Sequence, residues 1–115
     1  MKVQIFGTKS CQGTRKAERF FKERRVAIHF VDLKRKAASK GELRRFVQKF
    51  GTDALIDRNS RRFLSLGLHA AHHSEDRWLE IMSEEPGILV TPLVRNGNQL
   101  TVGPAADAWR DWTSE

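Results

Sequence analysis

The chain has a single cysteine, Cys11, so no disulfide can form within it. A cystine-stabilised secreted domain is thereby excluded. Long apolar runs are missing as well. No stretch approaches the ~20 residues that a membrane span requires. The N-terminus passes straight into a strand-like segment, without the basic and then apolar pattern of a leader. These absences lead us to expect a cytoplasmic protein with no membrane association. Long blocks of like charge are also absent. Basic residues come as the pairs and triples Arg24-Arg25, Lys34-Arg35-Lys36, Arg44-Arg45 and Arg61-Arg62, without aromatic interleaving. Direct nucleic-acid binding is not expected from such a pattern. Gly7 and Gly13 fit no phosphate-loop spacing, and the chain contains neither an internal repeat nor a low-complexity segment.

What is present fits one domain. At 115 residues the chain is long enough to bury a core without staples. Its formal charge of +7 and pI near 10.2 suit an anionic partner: a small oxyanion, glutathione, nucleic acid or an acidic protein face. A generic basic surface accounts for the same numbers.

The most informative stretch is the first fourteen residues. The apolar run over 3–6 reads as a buried strand broken by Gly7. Thr14 opens a helical pattern to about residue 25. Ala17, Phe20, Phe21 and Val26 lie on one side of it, with Arg15, Lys16, Glu18, Lys22 and Glu23 on the other. Strand, loop, cysteine and helix together place a thiol at a helix N-terminus. Unpaired N–H groups and the helix dipole favour an anion there, either a thiolate or a bound oxyanion. Cys11 is therefore expected to ionise below its free value of about 8.5, with Arg15 and Lys16 helping. The alternative is a small, inert core residue. Thr8 is expected to cap the turn. Ser10 stands open between that role and bonding the thiolate.

Further along, residues 28–33 alternate as a second strand, parallel to the first because a helix joins them. Ser39 and Glu42 have capping-box spacing ahead of Leu43, Phe46, Val47 and Phe50, and Gly51 ends that helix. Short helical turns follow Thr52 and Asn59-Ser60, and another helix follows Ser74. The run 88–90 reads as a buried strand leading into Thr91-Pro92. A hairpin then follows, with Asn96-Gly97 as its tight turn. Pro104 suits the first position of a last helix. Thr91-Pro92, just before a strand, is a natural place for a cis peptide beside the cysteine loop.

The residues Ile5-Phe6-Gly7-Thr8-Lys9-Ser10-Cys11, Thr14-Arg15-Lys16-Ala17, Arg58 ahead of Phe63 and Leu66-Gly67-Leu68, Glu84-Glu85-Pro86-Gly87 and Thr91-Pro92-Leu93-Val94 together resemble the arsenate reductase (ArsC) / Spx family of thioredoxin-fold proteins. The resemblance implies an α/β, thioredoxin-like fold with a four-stranded mixed sheet, ordered β-α-β then β-β-α. The chain would be a single ArsC/Spx-like domain over 1–115. Its core would span 1–38 and 86–115, with a helical insert over 39–85. For the reductase branch, it implies that Cys11 is the nucleophile and attacks arsenate. Thr14 and Arg15 would cradle the oxyanion, Arg58 (or, by a slip, Arg61) would clamp it, and Thr91-Pro92 would form the cis-proline loop. Glutathione would be co-substrate and glutaredoxin the resolving partner, with no bound cofactor. The family's second and third arginines are missing, because Thr91 and Val102-Gly103-Pro104 stand in those places. Two lost charge-assisted contacts, at about 1.5–3 kcal/mol each, weaken the case for arsenate itself.

For the Spx branch, the resemblance implies a regulator that binds the RNA polymerase α subunit. Thr14 replaces the second cysteine of its redox switch. A member that keeps only the fold is the third reading.

His69, His72 and His73 include an i, i+4 pair, but no second ligand pair accompanies it, and no metal is expected. His29 is expected on the surface or at a sheet edge. Trp78, Trp109 and Trp112 read as packing residues. A monomer is expected.

Overall fold

The computed structural model describes residues 1–114. Strand β1 (Lys2–Gly7) lies next to β2 (Ala27–Asp32), with helix α1 (Gln12–Glu23) between them in sequence. The two strands pair in parallel, Val3 opposite Ile28 and Ile5 opposite Phe30. β3 (Leu93–Asn96) pairs antiparallel with the other edge of β1, and β4 (Gln99–Val102) closes the sheet beside it. The order β2-β1-β3-β4, with α1 and a last helix α6 (Ala106–Thr113), is the thioredoxin-like plan.

The chain divides into two compact units, one formed by 1–36 with 91–115 and the other by 37–90. In the first, the inward positions of the sheet (Val3, Ile5, Val94) meet Ala17 and Phe21 of α1 and Trp109 of α6. The aromatic rings of Phe20 and Phe21 both lie 5.7 Å from that of Trp109. The indole N–H of Trp109 donates to Thr101 Oγ1 at 2.9 Å, so its polar edge is satisfied inside the core.

The second unit is helical. Its elements are α2 (Lys40–Phe50), α3 (Thr52–Leu55), α4 (Arg61–Ser65) and α5 (Glu75–Glu84). Leu43, Phe46 and Val47 of α2, Phe63 of α4, and Trp78, Leu79, Ile81 and Met82 of α5 are buried. The capping box forms as the spacing requires. Glu42 N–H donates to Ser39 Oγ and Ser39 N–H donates to Glu42 Oε1, both at 3.1 Å.

Four expectations need correction. Residues 88–90 are not a sheet strand. Pro86–Ile88 is a 3-10 turn, Leu89 bridges Ile56, and Val90 N–H donates to Leu55 O at 2.8 Å. The run is apolar because it is buried, and burial alone does not distinguish a strand from other backbone. The hairpin turn is centred on Gly97 and Asn98, since Asn96 pairs with Gln99. Gly97 alone has positive φ (59°) there, the pattern of a type II′ turn in place of the type I′ that Asn-Gly suggests. Helix α1 ends at Glu23, and Arg25 turns the chain at φ 57°, so Val26 joins the core from the connection to β2. Pro104 precedes the cap of α6, Ala105, and does not sit at the first helical position.

Candidate functional site

Cys11 is the N-cap of α1, which begins at Gln12, two residues before the Thr14 that was expected to open it. Its N–H donates to Thr8 O and its carbonyl accepts from Arg15 N–H, each at 3.1 Å, so the loop 8–11 is tied to the first turn. Gly7 allows a close approach behind it. A Cβ there would overlap Thr14 Oγ1, so Thr14 packs directly against the end of β1. Gly13 does the same on the other side, where a Cβ would lie 3.2 Å from Pro92 Cδ.

The Thr91-Pro92 peptide bond is cis. Thr91 meets the sulfur through both of its oxygens. Its hydroxyl donates to Cys11 Sγ at 3.0 Å, and its carbonyl accepts from the thiol at 3.7 Å. The cysteine is half-buried, and burial by itself pushes its pKa up. That effect is outweighed by donors to the thiolate: the Thr14 and Thr91 side chains and the backbone N–H groups of Thr14 and Gly13. The net result is a thiol held below its ordinary range. The Thr14 hydroxyl is fully buried and, among the described residues, has no hydrogen-bond partner of full geometry. It lies close enough to Cys11 to act as a donor that favours the thiolate.

Arg15 and Lys16 had been expected to help lower the pKa, but the lowering has only hydrogen-bond causes. Arg15 Nη1 is bound to Lys9 O at 3.1 Å, which draws the guanidinium back over the loop. Ser10 Oγ lies 3.2 Å from Thr8 Oγ1, so the two hydroxyls are paired with each other. Arg58 belongs to the helical unit, where Asp53 holds it at 2.8 Å and its guanidinium lies over the rings of Phe63 (5.5 Å) and Trp78 (5.7 Å). Arg95, on β3, donates from Nε to Gly97 O at 2.9 Å and so stays on its own hairpin.

The thiolate donor that sequence reasoning missed is the Thr91 side chain. The only signal for it was its place before Pro92, which said where the backbone would run but not which way the hydroxyl would turn. His69 lies in a 3-10 turn (Leu68–Ala70) followed by extended Ala71, so His69 and His73 share no helix face. No group of three or more His, Cys, Asp or Glu able to hold a metal is found among the described residues.

The chain is similar to the global transcriptional regulator Spx 2 of Oceanobacillus iheyensis, at 30% identity over 97% of this chain and 84% of the relative. Among solved structures it is similar to the YffB protein, with a TM-score of 0.88 and 26% identity, covering 97% of this chain and 99% of that one. It also shares its fold with an arsenate reductase from Vibrio cholerae, with a TM-score of 0.84, 21% identity, and coverage of 96% and 97%. The ArsC family profile matches residues 6–112, from the end of β1 through α6. With its strand–cysteine–helix loop, its cis-proline neighbour and a match across almost its whole length, the chain belongs to the ArsC family.

Proposed function

We propose that the protein is an ArsC-family thiol oxidoreductase in which Cys11 is a monothiol nucleophile toward a small electrophile. The observation that carries this is the set of donors around one half-buried sulfur: Thr91 Oγ1 at 3.0 Å, the buried Thr14 hydroxyl and the N–H groups that open α1. Those donors favour the thiolate, the form that attacks. The reductant is glutathione, with glutaredoxin resolving the mixed disulfide. Arsenate is a weaker candidate than another small electrophile. The residue before Pro92, which touches the sulfur, is a neutral threonine and not an arginine, so the arsenate oxyanion would meet a hydroxyl where it needs a charge.

The pH dependence of Cys11 alkylation tests this reading, run with and without arsenate or phosphate and with glutathione disulfide as a trap. The expected result is ionisation below the free thiol range and rapid glutathionylation. Turnover with glutathione and glutaredoxin would follow. A normal or raised pKa with no trapping would sink the reading.

The Spx relative supports a second reading, a regulator that binds the RNA polymerase α subunit. With one cysteine in the chain, such a regulator lacks an internal disulfide switch. Retention of RNA polymerase α by the immobilised protein, unaffected by Cys11→Ser, would favour it.

A further inference from the structure

The charge of +7 is not shared between the two units. Residues 1–36 and 91–115 hold thirteen Lys and Arg against six Asp and Glu, whereas 37–90 hold eight of each. Four of those cations, Arg15, Lys16, Arg19 and Lys22, lie along α1, with the carboxylates Glu18 and Glu23. Arg15, Arg19 and Lys22, spaced i, i+4 and i+7, are exposed. With Lys9, Glu18 and Glu23 they line a groove of about 380 Å³. Lys9 and Glu18 neutralise each other at 2.7 Å. Arg15 is bonded to a carbonyl, and among the described residues neither Arg19 nor Lys22 has an ion pair. Four cations therefore face two carboxylates.

Position matters as much as charge. At about 100° per residue, Arg15, Arg19 and Lys22 all fall within about 80° of the direction of the N-cap, Cys11. At about 1.5 Å per residue they stand roughly 6, 12 and 16 Å along the axis from it. A tripeptide spans at most about 10 Å. If its central sulfur sat at Cys11, its terminal carboxylate would come within reach of the long Arg15 and Arg19 side chains.

We propose, on the basis of the thiol reading above, that the Arg15–Arg19–Lys22 stripe recognises the carboxylates of the disulfide that Cys11 attacks. It thereby selects anionic peptide disulfides of the glutathione disulfide class over neutral and cationic ones. In the step itself, the Cys11 thiolate attacks one sulfur of RS–SR. The S–S bond breaks as the Cys11–S–S–R bond forms, and RS⁻ leaves and takes a proton from water. Cys11 is oxidised to the disulfide level and one RS group is reduced to the thiol. The stripe takes no part in this exchange and acts by raising the local concentration of the anion.

The test is the second-order rate of mixed-disulfide formation with glutathione disulfide (net negative), 2-hydroxyethyl disulfide (neutral) and cystamine (positive). It is run at ~0.1 M ionic strength, where screening acts over about 10 Å, and again at ~1 M, where it acts over about 3 Å. Arg19→Glu and Lys22→Glu should each lower the glutathione disulfide rate about threefold or more at the lower salt, raise the cystamine rate and leave the neutral rate unchanged. The differences should collapse at high salt. Lys2→Glu, the same charge change at the start of β1, should do little. Equal effects from Lys2→Glu and Arg19→Glu would overturn the proposal, since net charge alone would then act. So would a wild-type rate indifferent to disulfide charge. If Cys11 stays readily alkylated by neutral iodoacetamide while charge discrimination is absent, only this inference fails. If Cys11 is inert to iodoacetamide as well, the thiol reading fails first and this inference falls with it.

Discussion

A half-buried sulfur is normally driven toward the protonated form, because desolvation penalises its anion. In Cys11 that cost is present, yet the pKa still falls, because two hydroxyls and two N–H groups converge on one atom. Thr91→Val removes the donor at 3.0 Å with little change of shape. The pH midpoint of Cys11 alkylation should then move up toward the ordinary thiol range, and the circular dichroism spectrum should not change. The lowered pKa also has a consequence for stability. An acid ionised more readily in the folded chain stabilises it fully above its unfolded value, and the contribution is lost as pH falls through the folded value. The stability of the wild type relative to Cys11→Ala should accordingly rise with pH up to the ordinary thiol range and then level off, as read by urea unfolding at a series of pH values. Gly7 belongs to the same scale. Its lack of a side chain is what lets Thr14 sit at the sulfur, so Gly7→Ala should cost about 1–3 kcal/mol by overpacking and slow alkylation together.

At the scale of elements, the serine-capped helix starts were the most legible features, whereas α1 begins two residues before Thr14 and Thr52 lies inside α3, whose cap is Gly51. Helices were expected after Ser39, Asn59-Ser60 and Ser74, and each of the three serines accepts a bond from the backbone N–H three residues on. Such caps are local, decided within one turn, and a single sequence displays them. Ser39→Ala should cost about 1 kcal/mol, measured by chemical denaturation, because it removes the side-chain oxygen that accepts from Glu42 N–H and leaves only the backbone half of the reciprocal pair. Residues 88–90 show the opposite case. Their partners are Leu55, Ile56 and Asp57, some thirty residues away, and nothing in the run names them. The hairpin was legible as a hairpin, but its centre was displaced by one residue, because the register across β3 and β4 decided which pair closed the turn.

Across the whole molecule, two compact units hold two separate sets of buried side chains. One is built around Trp109 and Phe21, the other around Phe46, Leu79 and Met82. Leu79 is fully buried, and Leu79→Ala should cost about 2–5 kcal/mol. Hydrogen exchange should show residues 37–90 and the sheet unit losing protection in separate steps, as expected when each unit has its own core. No helix among the described residues is long and apolar enough to cross a membrane.

The order of strands and helices, the position of Cys11 at a helix start and the place of Pro92 were written in the sequence. Each depends on residues within a few positions of one another: a glycine break, a capping spacing, an apolar period. Only the tertiary structure decided what the thiol meets. Thr91 lies eighty positions from Cys11 and touches its sulfur because β3 pairs with β1 and brings the loop before β3 to the N-terminus of α1. The direction in which a side chain points is settled by what already fills the space around it, and that filling comes from the whole chain.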